Sequence, residues 1–133
     1  MSMSNTAENK VLKALLQGTD IDFRASANLY LALFTADPTE TGSFANEANY
    51  TGYARVTVAK ASAWTDGGST FTNSGLLQFP QCTAGNNTIT HFAVCTLASA
   101  GEVVVSGALN ASLNISSGIQ PQFSAGSLSV SSD

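Results

Sequence analysis

The stretch Ile89-Thr90-His91-Phe92-Ala93-Val94-Cys95 limits the fold more than any other part of the chain. Gly85-Asn86-Asn87 bounds it on one side and Ala98-Ser99-Ala100-Gly101 on the other, so it is too short for a typical helix. In a strand, successive side chains point to opposite faces. Strict alternation would put Ile89, His91, Ala93 and Cys95 on one face and Thr90, Phe92, Val94 and Thr96 on the other. Both faces are largely apolar, which predicts a central strand covered from two sides.

Other segments repeat this pattern at short intervals. Asn28–Phe34 is a second strand with no polar face, ended by Asp37-Pro38, where the ring removes a backbone donor and biases Asp37 away from helix. Gly52–Ala59 alternates, with Tyr53, Arg55 and Thr57 on one face. Trp64 precedes the turn Asp66-Gly67-Gly68, and Thr70–Asn73 and Leu76–Phe79 read as short strands. Glu102–Leu109 is expected to pair with the central strand through a hairpin, and Ala111–Ile115, Ile119–Phe123 and Ser127–Val130 complete the set. Short strands separated by Gly, Asn and Ser predict a mainly β fold, a single antiparallel β-sandwich of jelly-roll or Ig-like type. The segment 39–49 reads as a long surface loop carrying one aromatic, Phe44.

One short N-terminal α-helix precedes the β region. Asn5 with Glu8 three residues later resembles a capping box, Val11, Ala14 and Leu15 form a stripe widened by Leu12 and Leu16, and Gly18 suits the left-handed stop. The predicted helix runs over 6–17, which divides the chain into an arm and helix at 1–18 and a sandwich at 19–133. Its apolar stripe must dock either on its own sandwich or on a neighbouring subunit.

Charged residues make up 11% of the chain, less than half the usual ~25%, and no Lys or Arg follows Lys60. A net charge of −4 argues against nucleic-acid partners, and the lack of basic clusters argues against an anionic membrane surface. No apolar run approaches the ~20 residues of a membrane span. The N-terminus lacks the pattern of a signal peptide. Synthesis in a cytoplasm is therefore expected, where Cys82 and Cys95 would be two buried thiols, although a bridge between them stays open.

Motifs for chemistry are missing. His91 is the single histidine and sits mid-strand, so it is expected to make a structural hydrogen bond. No catalytic residue, cofactor site or metal site is assigned. Asp20 and Asp22 could help ligate a cation but lack further carboxylates nearby. Tyr30, Tyr50, Tyr53 and Trp64 could form a sugar platform, or could simply be strand and core residues. The residues singled out as partner contacts are Val11, Leu12, Leu15, Phe23, Phe44, Tyr53 and Arg55.

The series Leu29–Thr35 with Asp37-Pro38, Gly52–Arg55, Phe79-Pro80, Ile89–Val94, Gly107–Leu109 and Phe123–Val130 resembles a family of small phage virion proteins, often labelled tail-fibre proteins. Related small proteins serve as capsid decoration (cement) proteins. The chain departs from this family after Ala84, where Gly85-Asn86-Asn87 stands in place of a frequent Trp-Gly. The resemblance implies a non-enzymatic virion protein. The first expectation is a decoration protein on the capsid surface, a homo-oligomer (a trimer) bound to the major capsid protein. The alternatives are a tail or tail-fibre component and a carbohydrate-binding β-domain.

Overall fold

In the computed structural model, which describes residues 2–131, the predicted central strand is the middle member of the main sheet. The elements are β1 (Ser2–Met3), α1 (Asn5–Gln17), β2 (Asn28–Phe34), β3 (Val56–Ala59), β4 (Trp64–Asp66), β5 (Thr70–Asn73), β6 (Leu77–Gln78), β7 (Asn86–Cys95), β8 (Val103–Ser116), β9 (Gln122–Phe123) and β10 (Ser129–Ser131). A five-stranded sheet has the order β1-β8-β7-β2-β3; smaller sheets pair β10-β5-β4 and β6-β9, and every pairing is antiparallel. The protein is mainly β with one short N-terminal helix, as its patterning implies. None of its described helices is long and apolar enough to cross a membrane.

Both faces of the main sheet are covered. One face carries Leu31, Leu33, Phe92, Val94 and Val58 against Phe79, Leu128 and Phe123 from the smaller sheets and their connections. Full burial of each large apolar side chain contributes roughly 1.5–3 kcal/mol, so this layer dominates stability. The other face carries Phe34 among the smaller Ala32, Ala93, Cys95 and Val103, and a loop lies across them. That loop is 37–47: Phe44 stacks on Phe34 with ring centroids 6.3 Å apart, and Pro38 is buried.

Strict alternation fails at one point. Ile89 pairs with Leu113, but His91 pairs with Ala108, so β8 carries three extra residues opposite Thr90. An odd offset turns side chains over, as bulges do. Ile89 therefore joins Phe92 and Val94 in the main core and does not share a face with His91, Ala93 and Cys95. The same irregularity merges the two predicted segments 102–109 and 111–115 into the single strand β8. A second offset, between Val94/Val105 and Cys95/Val103, leaves Val104 as an extra residue.

Other boundaries shift for identifiable reasons. The helix starts at Asn5 and its cap is Ser4, not Asn5. The Ser4 hydroxyl accepts from Ala7 N at 3.1 Å and donates to the Val103 carbonyl, and the Asn5 amide is used on Glu40 O at 2.8 Å. Gly18 ends the helix at φ 67°, as expected. Strand pairing in the predicted 52–59 segment begins only at Val56, because Gly52 at φ 99° turns the chain and a Cβ there would stand 2.8 Å from Gln81 O. Asn86 and Asn87 belong to β7 rather than to a turn, and the Asn87 amide oxygen accepts from the Asn49 and Tyr50 amides. The short strand β1, which the sequence does not announce, pairs Ser2 and Met3 with Ser106 and Val105.

Candidate assembly surface

The amphipathic helix meets the sheet with its small residues. Ala7 is buried, Val11 and Ala14 are half-buried, and Leu12, Leu15 and Leu16 are 54%, 75% and 79% exposed. Its tilt is fixed by Ser4 at one end and by Lys10 along its length. Lys10 bonds Asp22 at 2.9 Å and also Glu102, and its ammonium lies 5.4 Å from the Phe23 ring centroid. Burial works against the Lys10 charge, but the Glu102 and Asp22 carboxylates outweigh it and hold its pKa above the ordinary lysine value. Lys10 in turn holds the Asp22 carboxyl below the usual range. Phe23 is half-buried between Lys10 and Lys60, the latter bonded to the Phe23 and Arg24 carbonyls. Asp20 pairs with Arg24 at 2.7 Å, which lowers its pKa, so Asp20 and Asp22 each serve a separate cation.

Two other predicted contact residues, Tyr53 and Arg55, converge on Glu47, and a third, Phe44, joins them through the Arg55 guanidinium. The Glu47 carboxylate accepts from Arg55 Nε at 2.7 Å, Arg55 Nη2 at 2.8 Å and the Tyr53 hydroxyl at 2.7 Å. Leu33 N donates to the same hydroxyl at 3.2 Å. Arg55 Nη1 reaches the Leu97 and Ala100 carbonyls, and its guanidinium lies 4.8 Å from the Phe44 centroid. Phe44, Tyr53 and Arg55 are thus engaged inside the fold, with the guanidinium set over the Phe44 ring. Burial and then the Glu47 bond push the Tyr53 phenol far up, and Glu47 raises Arg55 despite its burial.

The candidates for chemistry are occupied in structural roles. The Thr90 hydroxyl donates to Thr35 O at 3.1 Å, so the 2.8 Å contact with His91 Nδ1 has the imidazole as donor. In that tautomer the imidazole donates a hydrogen bond to the hydroxyl oxygen. Cys82 and Cys95 are free, buried thiols, and burial pushes Cys95 up to about 12, far from a reactive thiolate. The Tyr50 hydroxyl bonds Pro80 O at 2.8 Å, and Tyr50 and Tyr53 meet edge-to-face 5.5 Å apart beside Phe79. Tyr50 and Tyr53 therefore pack inward, and the four aromatics do not line one sugar platform.

Trp64 instead lies at a feature the sequence does not reveal. An apolar cleft of about 420 Å³ opens between the main sheet and the β10-β5-β4 sheet. Leu29, Trp64, Phe71, Val105 and Val130 line it, with Lys60 and Asp66 at its polar margin. The bulge at Val104 turns both Val104 and Val105 toward it. No motif marks this cleft because its residues come from six separate stretches.

Residues 2–131 match the model of a family described as Podophage GP4 fiber I protein gp80. The chain belongs to this family. No curated protein matches it. As a member of this fibre family, the protein has a structural place in the virion of a tailed phage, in keeping with the resemblance carried by its strand series. The fibre family's signature spans both the helix with the exposed leucines and the sandwich with the cleft.

Proposed function

We propose that this chain is a small, non-enzymatic subunit of the phage tail-fibre apparatus that holds its place by apolar contact through α1. The observation that carries this reading is the exposed leucine face of a helix whose opposite side is docked on its own sheet. Each of Leu12, Leu15 and Leu16 would contribute up to about 1.5–3 kcal/mol on full removal from water, which offsets part of the ~4–15 kcal/mol that association costs. The family description favours the fibre over the head.

The second reading is a capsid decoration protein, a trimer clamping the major capsid protein. It is favoured by the small β-fold, whose apolar surfaces suit a contact on a larger shell. Copy number and location in purified virions separate the two. Immunogold label at the tail, with copies in the range of six to about a dozen, is the expected result. Label spread over the head in hundreds of copies would replace the fibre reading with decoration.

A further inference from the structure

We propose that the leucine face of α1 in one copy inserts into the apolar cleft between the sheets of the next copy, making a head-to-tail contact. The proposal deepens the reading of the chain as a virion structural subunit by naming the occupant of both surfaces, and it rests on that reading only for its setting.

Three observations support it. The first is complementarity of shape and polarity. Leu12 and Leu16 project beside each other on the exposed side of α1, flanked by Asn9, Lys13 and Gln17. The cleft volume of about 420 Å³ is more than twice the ~150 Å³ left when one buried leucine is truncated, so it can hold two such side chains.

The second is charge. Lys10, Arg24 and Arg55 are in salt bridges, and Lys60 is bonded to the Phe23 and Arg24 carbonyls. Among the described residues Lys13 alone of the five basic side chains has neither, and it sits between Leu12 and Leu16 in the helix. Asp66 at the cleft margin has no cation partner among the described residues; its carboxylate caps its own turn by accepting from Gly68 N at 2.8 Å. Seating Leu12 and Leu16 in the cleft brings the cation on the helix to the carboxylate on the rim.

The third is placement. The helix begins beside Val103 and loop residue Gly42, at the face of the main sheet that carries Phe34 and Cys95. The cleft is on the other face, with Leu29, Val94 and Val105 as its floor. Ser4 and Lys10 fix the helix where it is, so its leucines face away from the cleft of their own chain. A contact joining two different patches is heterologous, and repetition builds a ring or a filament rather than a closed pair.

The test uses the full chain. Sedimentation should show the average mass rising above the 13.7 kDa protomer with concentration and passing beyond a dimer. Leu16→Ala should weaken association by about 10- to 100-fold. Lys13→Glu and Asp66→Lys should each weaken it by about 3- to 10-fold, and combining the two in one chain should restore it. Circular dichroism checks that each variant is folded. For direct placement, a Leu16→Cys chain is mixed with a Phe71→Cys chain under mild oxidation, and 16–71 cross-links are expected. A protomer that stays monomeric at millimolar concentration, dominant 16–16 cross-links, or a folded double charge variant that is not restored would each overturn the proposal. The fibre reading fails separately, on where the virion is labelled: a subunit found on the head could still cross-link 16 to 71, and one found on the tail could fail to.

Discussion

Replacing Glu47 with alanine isolates the energetics of the loop that covers the second face of the sheet. The Arg55 side chain is only 3% exposed and Glu47 17%, so their pairing is shielded from solvent. Glu47 receives two bonds from Arg55 and one from Tyr53. Glu47→Ala removes all three at once and leaves a guanidinium without a counter-charge. Breaking a buried pair from one side costs ~3–5 kcal/mol. Arg55 keeps the Leu97 and Ala100 carbonyls and its stacking on Phe44, which places the loss near the lower end, about 3 kcal/mol. For a domain of this size that corresponds to a fall in Tm of roughly 10 °C. The assay is urea unfolding followed by tryptophan fluorescence, with Glu47→Leu/Arg55→Met as the control. The control removes both charges together and should cost less than Glu47→Ala alone, because no charge is left stranded. A Glu47→Ala loss below about 1 kcal/mol, or a double variant less stable than the single, would refute the reasoning.

Ser4→Ala should destabilise the protein by about 1–2 kcal/mol, since one hydroxyl both caps α1 and holds it to β8; proteolysis within residues 5–17 should speed up accordingly. Gly52→Ala should cost more than a surface substitution, through its φ of 99° and the 2.8 Å approach to Gln81 O, and thermal melts will read it. A thiol reagent at pH 8 should label Cys95 only as fast as the protein opens. Because its folded pKa lies above the unfolded one, the Cys95 contribution is full below about pH 8.5 and is lost as pH rises toward about 12. Asp22 behaves in the opposite sense: its carboxyl is held low by Lys10, so the tether from α1 is present above about pH 4 and is lost on acidification. Amide exchange in the helix should rise there before exchange in β7.

Runs of side chains carried most of the fold's signal. β2 falls on its continuous apolar run, β5 falls on the short segment between its turn residues, and β7 is central because both its faces are apolar. Features that depend on distant pairing were not readable. The three-residue offset opposite Thr90 depends on how β8 registers on β7, and no local pattern near Ile89 encodes it. The Ser4 cap prevailed over Asn5 because Val103, far along the chain, offers a carbonyl to the serine hydroxyl. The leucines of α1 were visible as a stripe, but which part of the stripe docks was decided by the small residues Ala7 and Ala14, which allow close approach. Phe44, Tyr53 and Arg55 looked like surface contacts because Glu47, which gathers them, lies in a stretch without periodicity. The cleft was hidden for the same reason, since Leu29, Trp64 and Val130 become neighbours only after the sheets close.

The tie between Ser4 and Val103 also bears on how the helix would meet another molecule. A loose tail must lose its freedom at the moment of docking, which weakens the complex. Here the first turn is already stitched to the sheet, and Lys10 braces the middle against Asp22 and Glu102. The leucines are therefore offered as a stiff peg at a set bearing, and most of the ordering has taken place before any encounter.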